Sequence, residues 1–98
     1  MLTLNNKQRA YLSSQANALN AILQIGKASL TPEMVQSVDE ALEARELIKI
    51  HVLKNCFDDP REIAEMLADR SHAAVVRVIG KMIILYRPSK KPKIDLPG

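Results

Sequence analysis

The four residues of this chain best placed to do chemistry are Gly26-Lys27-Ala28-Ser29. They fall between a short apolar run, Ile22-Leu23-Gln24-Ile25, and the helix start Thr31-Pro32-Glu33. The N–H groups at a helix N-terminus attract anions. A glycine beside them lets a phosphate approach the main chain, and Lys27 adds a mobile cation. The same residues also fit an ordinary strand-to-helix turn in which glycine supplies a positive φ. The loop lacks the second glycine and flanking lysine of a nucleotide P-loop, so NTP hydrolysis is not expected.

The remaining candidates are weaker. Lys49 and His51 lie on the polar side of the alternating stretch Leu47 to Leu53, and Arg77 is a candidate for the same strip. Such a strip either grips a polyanion or is simply a solvated sheet face. No Ser, Cys or carboxylate partner can be assigned to His51, which reads as a surface histidine. Asp58 and Asp59 precede Pro60 and read as caps rather than an acid/base pair. Cys56, the one cysteine, reads as a half-buried structural thiol, since a single thiol forms no internal disulfide. No CxxC pair exists, and neither histidine belongs to a cluster spaced for metal binding. No catalytic residue, metal, cofactor or small-molecule substrate is expected.

The elements that would position these residues follow from local signals. Lys7 to Ala18 has no Gly or Pro and carries Leu12, Ala16 and Leu19 at helical spacing, with Asn5 or Asn6 as cap. Ile22–Ile25 is a strand ended by Gly26. Thr31 caps a second helix that starts at Pro32, runs to about Ala44 and buries Met34, Val35, Val38, Ala41 and Leu42. Leu47 to Leu53 alternates as a strand. Asp58-Asp59-Pro60 starts a third helix with Ile63, Ala64 and Leu67 on its apolar side. Ala74–Ile79 and Met82–Tyr86 form a hairpin about Gly80-Lys81. The order is αβαβαββ, an α+β fold with a four-stranded mixed sheet, its crossovers expected to be right-handed. Residues 88–98 are read as a flexible basic tail carrying Lys90, Lys91 and Lys93.

Charge is distributed unevenly over the 98 residues. Residues 1–31 carry +3, residues 32–71 carry −5 and residues 72–98 carry +5, for a net +3. A fold that brings the ends together therefore has one positive face, and a polyanion is its natural partner. The aromatics are only Tyr11, Phe57 and Tyr86, too few for a sheet platform that stacks several bases. RNA binding would then rest on backbone amides and cations. No apolar run reaches the length of a membrane helix, and the first residues lack signal-peptide order. A cytoplasmic protein without a membrane partner is expected.

Four segments carry a resemblance. They are Leu4-Asn5-Asn6-Lys7-Gln8-Arg9-Ala10-Tyr11-Leu12, Ile25-Gly26-Lys27, Ala41-Leu42-Glu43-Ala44-Arg45-Glu46-Leu47-Ile48-Lys49-Ile50, and Val78-Ile79-Gly80-Lys81-Met82-Ile83-Ile84-Leu85-Tyr86-Arg87. In this order and spacing the chain resembles the bacterial YhbY-like proteins, the single-domain form of the CRM (chloroplast RNA splicing and ribosome maturation) domain. The resemblance implies a domain over residues 1–87 similar to the C-terminal domain of translation initiation factor 3. It further implies a GxxG-type RNA-binding loop and association with precursors of the large ribosomal subunit. The family loop generally reads Gly-Lys-x-Gly, and here its last position is Ser29. The expected function is binding of ribosomal RNA in large-subunit assembly. Gly26, Lys27, Ala28 and Ser29 would hold phosphates, and Lys7, Arg9, Lys49, Arg77, Lys81, Arg87, Lys90, Lys91 and Lys93 would widen the footprint. The alternative is a protein-interaction module that sets its acidic helices against a basic ribosomal protein.

Overall fold

A computed structural model describes residues 2–97. Its elements follow in chain order: α1 (Asn6–Ala16), β1 (Leu23–Ile25), α2 (Pro32–Arg45), β2 (Leu47–Val52), α3 (Pro60–Ser71), β3 (Ala74–Ile79) and β4 (Met82–Tyr86). The strands form one mixed sheet in the order β1-β2-β4-β3. β1 runs parallel to β2, and β4 lies antiparallel to both β2 and β3.

Capping chemistry explains the helix starts. Asn5, not Asn6, caps α1. Its side chain accepts from the Gln8 N–H, and the Gln8 side chain reaches back to the Asn5 N–H in a capping box. Thr31 Oγ1 accepts from the Met34 N–H, and Asp59 from the Arg61 N–H, each just ahead of a proline at the first helical position. α1 is two residues shorter at its end than its apolar spacing suggests, because the chain turns at Asn17.

Alternation along the strands sorts side chains onto two faces. Ile25, Ile48, Ile50, Val52, Ile83 and Leu85 pack beneath Val38 and Leu42 of α2 and Ile63, Ala64 and Leu67 of α3. Cys56 is fully buried in this core rather than half-buried. On the other face Leu47, Ala74, Val76, Ile84 and Tyr86 meet Leu12 and Ala16 of α1. The β3–β4 register slips between Val75 and Arg77, which puts both Val76 and Arg77 on the α1 side.

The segment beyond Arg87, expected as a flexible basic tail, lies packed against the domain. Ile94 and Leu96 pack against the α1-side core. Glu46, buried between α2 and β2, anchors the segment. One carboxylate oxygen accepts from the N–H groups of Lys93 and Ile94, both at 2.9 Å. The other accepts from the Ser89 N–H at 2.7 Å and the Ser89 hydroxyl at 2.8 Å. Lys90 N–H donates to Glu43, and Gln8 of α1 donates to the Pro97 carbonyl. The segment is a strap, and a buried carboxylate that must be satisfied is the physical reason.

Candidate nucleic-acid interface

Parallel pairing of β1 and β2 brings their C-terminal ends side by side, and the loops that follow must meet there. The Leu53 N–H donates to the Ile25 carbonyl, and the Val52 N–H to the Lys81 carbonyl. Three connections therefore gather at one end of the sheet: Gly26–Leu30, Leu53–Asp59 and the Gly80-Lys81 turn. The last is a two-residue hairpin turn between Ile79 and Met82, with Gly80 at φ +57°.

Gly26-Lys27-Ala28-Ser29 closes as a turn in which the Ser29 N–H donates to the Gly26 carbonyl at 2.9 Å. Lys27 and Ala28 are exposed. The positive φ lies at Ser29, at 55°, and not at Gly26. A Cβ built on Gly26 would meet Asn55 Oδ1 at 3.4 Å and Leu53 Cδ1 at 3.7 Å, ordinary contact distances. Neither backbone conformation nor crowding therefore demands glycine at position 26. Gly26 is half-exposed beside Lys27, in the turn that leads to α2. Thr31 supplies the α2 cap, so the Ser29 hydroxyl is not used for that purpose.

The other sequence candidates are spread more widely. Lys81 stands at the same end as the loop, exposed in its turn. Lys49 and Arg77 fall in one row on the α1 side but are not adjacent, because Ile84 of β4 separates them. Two strand spacings put them roughly 10 Å apart. The Lys49 ammonium donates to the Leu19 carbonyl at 3.0 Å, and Arg77 reaches Ser13 of α1 at 3.5 Å. His51 sits one row nearer the loop end, between Gln24 and Met82.

Lys7 and Arg9 are exposed on α1, with Arg9 near Glu65 and the start of β3, toward the opposite end of the sheet. Arg87 is at that opposite end too and is occupied. Its guanidinium pairs with Asp39 and Glu43 of α2 and donates to the Ser71 carbonyl at 2.8 Å. That pairing also engages two of the acidic side chains offered for a basic protein partner. Lys90 and Lys91 are exposed on the strap, whereas the Lys93 ammonium donates to the Ala44 carbonyl at 3.2 Å.

Three residues at the ends of the sheet are not singled out by the sequence. Lys54 and Phe57 lie exposed in the loop after β2, beside the Gly26 turn. Lys27, Lys54 and Lys81 thus come from three loops at one end. A signal for the first two exists: ligands favour the carboxyl ends of parallel strands, and β1 and β2 are such a pair. Glu46 is the third. Burial acts against its charge, but the donors from Ser89, Lys93 and Ile94 outweigh it and bring its pKa to about 2. Burial, with the Glu46 charge second, raises the pKa of Tyr86. Among the described residues no group of His, Cys, Asp and Glu could hold a metal ion, and no helix is long and apolar enough to cross a membrane.

This arrangement of a mixed sheet between one helix and two, with a basic turn at the mouth of its parallel strands, defines a small α+β domain. The family model of the CRS1 / YhbY (CRM) domain matches residues 4–87, and the chain belongs to that family. It is 45% identical over 95 residues to the "Probable RNA-binding protein YqeI" of Bacillus subtilis, covering 96% of this chain and 99% of that one. An "RNA-binding protein" of Haemophilus influenzae is 35% identical, covering 99% and 98%. The solution structure of a hypothetical protein of Staphylococcus aureus superposes with a TM-score of 0.83 at 48% identity, covering 97% of this chain and all of that one.

Proposed function

We propose that this protein binds RNA at the loop end of the sheet, capturing phosphates on the Gly26–Ser29 turn and on Lys27, Lys54 and Lys81. The observation that carries the reading is Gly26. Its glycine is required by neither φ nor packing, yet it stands in a cationic turn that leads to the N-terminus of α2. The names of the relatives from Bacillus and Haemophilus support RNA as the ligand class. Lys49 and Arg77 extend the footprint along the α1 side, and the exposed Lys7, Arg9, Lys90 and Lys91 add long-range attraction. Arg87 serves the fold instead. The resemblance to YhbY-like proteins further points to ribosomal RNA within a large-subunit precursor, with no catalytic step.

Gly26→Ala tests the reading. Alanine fits the site, so the melting temperature should hold or rise slightly as the unfolded chain loses freedom. RNA affinity should fall several-fold, because the added methyl keeps phosphate from the main chain. Unchanged affinity removes the turn from the site. Crosslinking in cells should place the bound segments in large-subunit ribosomal RNA; crosslinks confined to other RNAs would contradict that assignment.

A further inference from the structure

Phe57 has no role in the fold. It is 92% exposed, against 37–45% for the other exposed large hydrophobic side chains: Tyr11, Leu19, Ile22, Met66 and Ile79. Its neighbours in sequence are engaged. Cys56 is buried in the core, and Asp59 caps α3. The ring is thus projected by a loop anchored on both sides, which limits how far it can move. Asn55, two residues before it, lies against Gly26, with its side-chain atoms 3.4 and 3.8 Å from the Cβ position there. Two residues of chain reach at most about 7 Å, so Phe57 belongs to the loop that Asn55 sets against the phosphate-capturing turn.

We propose that Phe57 is a base-stacking residue and that the RNA bound at this end is single-stranded. The inference rests on the RNA-binding reading above and names the form of RNA. An aromatic face accepts any unstacked base, whereas bases inside a duplex are already stacked and out of reach. Lys27 and Lys54 supply the positive track for the backbone. Asp58 and Asp59 follow the ring and repel phosphate, which leaves an uncharged group, the base, to cover it. One aromatic cannot form a multi-base platform. It holds one nucleotide and fixes the register of the strand against the Gly26 turn.

Phe57→Ala and Phe57→Trp decide the matter, with a short single-stranded oligoribonucleotide and the same strand in a blunt duplex as probes. Because the side chain is solvent-exposed, both variants should keep the melting temperature. Phe57→Ala should weaken single-strand binding roughly 5- to 100-fold. It should leave duplex binding and the salt dependence of binding unchanged, since the ring neutralises no phosphate. The chain contains no tryptophan, so Phe57→Trp introduces the only indole. Its fluorescence should be quenched by the single strand, with affinity retained. Wild-type affinity in Phe57→Ala overturns the inference. So does indole emission that responds to ribosomal proteins but not to RNA. If Gly26→Ala loses affinity and Phe57→Ala does not, the stacking role falls and the RNA-binding reading stands. If the wild-type protein binds neither probe, the RNA-binding reading itself falls.

Discussion

The two ends of the sheet use polar residues in opposite ways. At the end where α2 passes into β2, Glu46 is buried and holds four hydrogen bonds from the strap, while Arg87 bridges Asp39, Glu43 and the end of α3. The charges of Glu46 and Arg87 are satisfied by the chain itself, and Glu46 holds the C-terminal segment in place. At the other end Lys27, Lys54 and Lys81 are exposed, and among the described residues none is in an ion pair. A folded chain gains little from grouping like charges on three loops. The difference separates charge used for stability from charge left available to a ligand.

Breaking the Glu46 end should have the largest effect. Its four partners are all donors, and both oxygens are used. Glu46→Gln leaves one oxygen and turns an amide NH2 toward N–H or O–H groups, which should cost about 3 kcal/mol or more in denaturant unfolding. The effect should depend on pH. The folded pKa of Glu46 is about 2, below its ordinary 4.5, so its contribution is complete above pH 4.5 and is lost as pH falls toward 2. That is about 3 kcal/mol in all. Unfolding free energies of wild type and Glu46→Gln measured across this range should therefore converge in acid. A constant gap would mean that the carboxylate charge is not what holds the strap.

A smaller effect sharpens the other end. Ser29 sits at φ 55°, and Thr31 already caps α2. Ser29→Gly should therefore relieve local strain and raise stability by some tenths up to about 1 kcal/mol, less the greater freedom of glycine in the unfolded chain. RNA affinity should hold or improve. A loss of affinity at unchanged stability would make the Ser29 hydroxyl a phosphate ligand.

These contrasts also show which features are legible in a sequence. Thr31-Pro32 and Asp59-Pro60 announce helix starts, and Gly80-Lys81 announces a hairpin, because each acts through residues within one turn of itself. The strap is invisible for the converse reason. Lys90, Lys91, Pro88 and Pro92 have the composition of a loose tail, and the carboxylate that binds their segment lies more than 40 positions earlier, between the second helix and the second strand, where nothing local marks it. Arg87 reads as part of a basic run until the fold sets it against α2. The Gly26 turn is evident as a candidate, but Lys54 and Phe57 join it only through the parallel β1–β2 pairing, a long-range register that local pattern does not encode. Ser29 takes a positive φ without being glycine, which its residue type does not announce.

The measurement that bears most directly on the division between the two ends is the salt dependence of RNA binding in two triple variants. One replaces Lys27, Lys54 and Lys81 by alanine, and the other replaces Lys90, Lys91 and Lys93. Each phosphate no longer neutralised should reduce the slope of log K against log salt by about 0.7 for a single strand. The first variant should lose about 2 from the slope along with most of its affinity, and the second should lose well under half as much. Equal losses, or a larger loss in the strap variant, would contradict an RNA site centred on the loop end of the sheet.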